Sequence, residues 1–74
     1  MKSVIVEWLD ASFAEIQANS HDAAQFEPIT MRSVGFLFAE NDNKVVICQD
    51  DLGDTGRQLL VIPRCSILRV KEVK

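Results

Sequence analysis

"SVGFLFAENDNKVVICQD", residues 33–50, places two apolar runs around the polar tripeptide Asn41-Asp42-Asn43. Asn and Asp tolerate positive φ and hydrogen-bond their own backbone, so the tripeptide reads as a turn. The runs read as its two strands. Upstream, Ile29–Glu40 is a long strand, with Val34, Phe36 and Phe38 on one alternating face and Gly35, Leu37 and Ala39 on the other. The aromatic face is expected to point inward. Gly35 has no side chain, which marks a bend, a bulge or a close backbone approach. Lys44–Gln49 returns as the hairpin partner. Both faces of this ribbon are apolar, and a two-stranded ribbon is not stable alone. Something has to cover each face.

Working outward, "KSVIVEWL", Lys2–Leu9, is dense in β-branched residues and reads as a first strand ended by Asp10. Residues 11–28 change character: alanines are frequent and β-branched residues nearly absent. Ser12-Phe13-Ala14-Glu15 fits a capping box, which predicts a short helix from Phe13 to about Ala18. Ser20 is expected to cap a second turn through Gln25. Pro28 stops anything helical before it. Phe13, Ile16 and Phe26 are the anchors by which this segment would cover the sheet.

After the hairpin, "DDLGDTG", Asp50–Gly56, is expected to be a polar loop. Arg57–Ile62, "RQLLVI", is a fourth strand, apolar on both faces and ended by Pro63, which has no ladder donor. Arg64-Cys65-Ser66 has room for one 3₁₀ turn. Ile67–Val73 is the last strand. The 74 residues thus form one domain, 1–74. Its expected fold class is mainly β: a small five-stranded bent barrel of SH3-like or Sm-like type, with a short helical insertion after the first strand. Val4, Val6, Trp8, Val34, Phe36, Phe38, Val61 and Leu68 are the expected core.

Charge is uneven. Residues 1–56 hold three basic and ten acidic side chains, and residues 57–74 hold five basic and one acidic. An acidic chain is a poor general binder of phosphate backbones, whose affinity comes from clustered Lys and Arg. No apolar run approaches the ~20 residues that span a bilayer, and the first nine residues lack a signal-peptide pattern. A cytoplasmic location without membrane attachment is the expectation. Cys48 in "VVICQ" and Cys65 in "IPRCSIL" are read as reduced, buried thiols. With one His and no C-x-x-C pair, zinc is not expected.

Trp8-Leu9-Asp10, Ser33-Val34-Gly35-Phe36-Leu37 and Ile62-Pro63-Arg64-Cys65-Ser66-Ile67 together resemble a group of small proteins common in bacteriophage, prophage and other mobile elements. Their pattern is W-x-D, S-V-G-aromatic-L, a β-hairpin, then I-P-basic-x-x-I. The resemblance spans nearly the whole chain and implies a fold but no activity. A looser similarity is to Sm-like RNA-binding barrels. Their lysine-histidine signature is absent here. Arg64 sits where the second Sm motif places an arginine, and Cys65 follows where that motif has glycine.

The residues of a type that carries chemistry are few. His21 has no Ser or Cys predictably near it, so acid–base catalysis is not expected. Asp50, Asp51 and Asp54 lie beside Gly53 and Gly56 but do not complete a calcium loop. Trp8, Phe36 and Phe38 are read as core rather than as a base-stacking platform. No phosphate loop or nucleophile elbow is present in the sequence. The expected function is therefore non-catalytic, with no cofactor: an interaction or accessory module that forms a homo-oligomer through its edge strands. The alternative is an Sm-like nucleic-acid-binding protein using Arg57, Arg64, Arg69 and Lys71.

Overall fold

The computed structural model describes residues 1–12 and 14–73. Five strands form one antiparallel sheet: β1 (Ser3–Asp10), β2 (Ile29–Glu40), β3 (Lys44–Asp51), β4 (Gly56–Pro63) and β5 (Ile67–Val73). Their order across the sheet is β4-β3-β2-β1-β5, so two strands consecutive in sequence occupy opposite edges. A 3₁₀ turn, Arg64–Ser66, joins them. Four inter-strand spacings of ~4.8 Å would separate the edges of a flat sheet by roughly 19 Å. Three linking residues reach at most ~14 Å extended, and less as a 3₁₀ turn. The sheet therefore curls until the end of β4 approaches the start of β5. No ladder joins those two strands among the described residues.

Register decides which face is inside the curl. Val4 lies opposite Gly35, and Val6 opposite both Ser33 and Val70. Leu37 lies opposite Ile47, Ile47 opposite Leu60, and Val45 opposite Ile62. Directly opposed residues share a face. The concave core is accordingly Val4, Val6, Val45, Ile47 and Ile62, with Trp8, Leu37, Leu60, Ile67 and Val70 packed around it. The Trp8 indole N–H donates to Ser33 Oγ at 3.0 Å, which satisfies its polar edge.

This corrects the expected facing of β2. Val4 and Val6 are buried as expected, but Val34, Val61 and Leu68 are exposed and Phe36 and Phe38 are only half-buried. The cause is the pairing of Gly35 with Val4, which turns the Gly35–Leu37 set inward. A Cβ on Gly35 would stand 2.9 Å from the Cys48 carbonyl oxygen and 3.3 Å from Ile47 Cβ. The glycine is thus the close-approach site at which β3 crosses β2. Its neighbours Phe36 and Cys48 are paired on the convex side. A bulge between Leu37 and Ala39 then bends β2 towards its turn.

The β2–β3 turn is held by its own first residue. Asn41 Oδ1 accepts from the backbone N–H groups of Asn43 and Lys44. The β3–β4 connection is shorter than the sequence suggests: Asp50, Asp51 and Gly56 belong to strands. Leu52 N–H donates to Thr55 O around Gly53-Asp54, and Gly53 has φ 89°, as a primed hairpin turn requires.

Gln58, inside β4, has φ 57°. That left-handed conformation costs an L-residue roughly 1–2 kcal/mol relative to glycine. Gln58→Gly is expected to raise the urea midpoint despite the entropy of glycine in the unfolded chain, whereas Gln58→Val should lower it. Equilibrium urea denaturation of both variants checks the sign, and a lower midpoint for the glycine variant would refute it.

The helical insertion is smaller than expected. One turn, α1 (Ser20–Ala23), is capped by Asn19, whose side chain accepts from Asp22 N–H. Ser12 and the described residues 14–18 are not helical. The Ser12 hydroxyl donates to Glu27 O at 2.8 Å, tying the two ends of the excursion together rather than capping a helix. Phe13 lies outside the described residues. Every other residue of 11–28 is exposed, including Ile16 and Phe26. The segment does not cover the sheet. Beyond Trp8, β1 has no β5 partner, and β2 pairs with β3 only from Phe36 onward. The ribbon Leu9–Asp10/Ile29–Thr30 therefore projects from the sheet and carries the excursion outward as an arm. The molecule is elongated accordingly, at 51 × 22 × 20 Å.

Candidate interaction surface

The four basic residues singled out from the sequence do not form one patch. Arg64 lies beyond the end of β4, and its Nε donates to Asn41 O at 2.9 Å while Nη2 lies 3.5 Å from Glu40. Its backbone N–H donates to Asn43 O. Arg64 thus fastens the 3₁₀ turn to the β2–β3 turn, which is a structural task. Arg57, at the other end of β4, faces Asp50 at 3.5 Å. Arg69 is paired with Glu7 on the neighbouring strand. Lys71 makes no ion pair among the described residues.

Register gathers a different set. On the convex face Arg69, Glu7 and Arg32 lie in one row across β5, β1 and β2. Lys71, Ile5 and Val34 form the adjacent row. Glu7 is committed to Arg69, so among the described residues Arg32 and Lys71 stand without a carboxylate partner on either side of an apolar pair. Val34, at the β2 end of its row, is 57% exposed. Arg32 was missed by sequence reasoning, which looked for cations only in the basic C-terminal third. Its signal was its strand position, two residues before Val34.

The same convex side continues to the β4 edge, where Leu59 and Val61 are exposed and, among the described residues, the outward backbone groups of β4 have no strand partner. Cys48 is buried beneath this side, with Sγ 3.8 Å from Met1 Sδ. Cys65 is exposed in the 3₁₀ turn, contrary to the expectation of two buried thiols. Both cysteines are free.

The acidic residues after β3 are engaged locally. Asp51 accepts from Gly53 N–H and lies 3.7 Å from the Met1 amino group, and Asp50 holds Arg57. His21 is exposed in α1. Among the described residues no group of three His, Cys, Asp or Glu is placed to hold a metal ion, and no helix is long and apolar enough to cross a membrane. Among those residues the surface also has no enclosed pocket. The arrangement offers flat apolar area flanked by charge, the chemistry of a protein contact. Comparison with protein-family models, with curated proteins and with solved structures finds no match.

Proposed function

We propose that this protein is a small non-catalytic interaction or accessory module that works as a homo-oligomer joined through its edge strands. One observation carries the reading. The segment 11–28, the longest stretch between two strands, is itself exposed at every described residue. The apolar convex side and the β4 edge are left for a second subunit. A strand with free N–H and C=O groups and exposed apolar side chains is an aggregation hazard unless something pairs with it. Arg69 and Lys71 guard β5 against promiscuous pairing; β4 has such charge only at Arg57.

The finer fold assignment belongs to this proposal. A curled five-stranded sheet with a one-turn link between its fourth and fifth strands supports an SH3-like or Sm-like barrel. In Sm-like rings the fourth strand of one subunit joins the fifth of the next. That heterologous contact closes rings rather than two-fold dimers. A role in a mobile element rests on the short motifs alone. Nucleic-acid binding is the weaker reading, because Arg57, Arg64 and Arg69 each face a carboxylate.

Sedimentation equilibrium at micromolar concentration tests the proposal. The expected result is a mass above the 8.3 kDa of one chain, reduced to that mass by Val61→Lys, which puts a charge on the β4 edge without touching the core. A single 8.3 kDa species for the unaltered protein would overturn it.

A further inference from the structure

We infer that the arm, residues 10–29, seats on the convex face of a second copy of this chain, with its acidic side chains against Arg32 and Lys71. The inference rests on the reading that the protein self-associates, and it names a contact that edge pairing does not supply.

Three observations converge. The first is area. The chain exposes 5657 Å², whereas a compact monomer of this mass exposes about 4,600 Å². The excess of about 1,000 Å² compares with the ~800 Å² per partner of a standard protein interface. The radius of gyration, 15.5 Å, against about 11 Å for a compact chain of this length, says the same. The arm is the main source, because every one of its described residues between 11 and 28 is exposed.

The second is the apolar content of that arm. Ile16 is 63% and Phe26 50% exposed, and Ile29 follows on the ribbon beneath them. An exposed Phe and Ile on a projecting segment are anchors without a pocket. The third is charge. Residues 10–29 contain Asp10, Glu15, Asp22 and Glu27 and no Lys or Arg. The convex face offers Arg32 and Lys71, unpaired among the described residues, around Ile5 and Val34. Among the described residues of one copy no carboxylate of the arm pairs with Arg32 or Lys71, so the complement is met between copies. Ser12 Oγ bonded to Glu27 O closes the base of the arm and presents it as a unit.

A charge-swap experiment decides it. One variant is Glu15→Lys with Glu27→Lys; the other is Arg32→Glu with Lys71→Glu. All four side chains are exposed, so both variants should keep the far-UV circular dichroism of the parent. Each alone is expected to associate at least about tenfold more weakly, since the arm then loses its net negative charge or the face turns negative against it. Mixed in equal amounts, they should form a heteromer with affinity near that of the parent, read by sedimentation velocity. If the parent associates but the mixture gains nothing over its components, the arm contact is overturned while edge pairing stands. If Val61→Lys leaves association intact and the charge variants abolish it, the edge reading falls and the arm contact stands. A parent that stays monomeric overturns both.

Discussion

Ile47→Ala is expected to leave the chain largely unfolded at room temperature. Ile47 is completely buried at the centre of the concave core, between Leu37 on β2 and Leu60 on β4. Truncating a buried Ile to Ala costs roughly 2–5 kcal/mol, the sum of lost transfer energy and the cavity left behind. A single core of this size supplies only about 3–5 kcal/mol of net stability without a staple. Both cysteines are free, so no disulfide supplements it. The adjacent residue provides a direct readout, because the Cys48 thiol is fully buried and Cys65 is exposed. In the parent protein iodoacetamide should modify Cys65 quickly and Cys48 only through opening. In Ile47→Ala the two should react at similar rates. Continued protection of Cys48 in that variant would show that the core lies elsewhere.

Gly35→Val should be nearly as damaging, although strand propensity predicts the opposite. Valine is a far better strand former than glycine, so on a pleated surface the change is worth up to ~1 kcal/mol in its favour. Sterics oppose it and win. The first atom of the new side chain would stand 2.9 Å from the Cys48 carbonyl oxygen, which is backbone and has no rotamer to move to. Overpacking of this kind typically costs about 1–3 kcal/mol, and the two valine methyls add to the displacement. Either β3 lifts away from β2 or the Val4–Gly35 pairing is lost, and the core depends on both. Thermal denaturation of Gly35→Ala and Gly35→Val should show a stepwise fall in midpoint. A midpoint that rises with either substitution would mean that β3 passes Gly35 at ordinary distance.

The strands were legible in the sequence because β-branched density and turn residues act locally. Asn41-Asp42-Asn43, Pro63 and the space for one 3₁₀ turn at Arg64–Ser66 bound elements that the structure contains. Facing was not legible for β2. Its two alternating sets, Val34-Phe36-Phe38 and Gly35-Leu37-Ala39, are both apolar, and residue size favoured the wrong one. Only the partner strand breaks the tie, by setting Gly35 against Val4 across a separation of 31 residues. The predicted first helix failed for a related reason. Ser12 and Glu15 satisfy a local capping pattern, but the Ser12 hydroxyl is taken by Glu27 O. The convex surface was half legible. Lys71 and Arg69 belonged to the basic third of the chain. Arg32 joins them only through its opposition to Glu7, which no composition count reveals.

The position of β1 has a consequence in time. It lies between β2 and β5, and its pairing with β5 sets Ser3 against Val73, almost the full length of the sequence apart. The β2–β3–β4 meander closes through short turns and can form within microseconds, at the pace of hairpins. The β1–β5 ladder must first close a loop of nearly the whole chain, and that entropy is lost before any contact compensates it. Refolding is therefore governed by the arrival of the last strand at the first, with the slow rates typical of non-local β topologies. Until then one side of β1 stands open, and a neighbouring chain folding nearby can offer its own β5 in place of the native one.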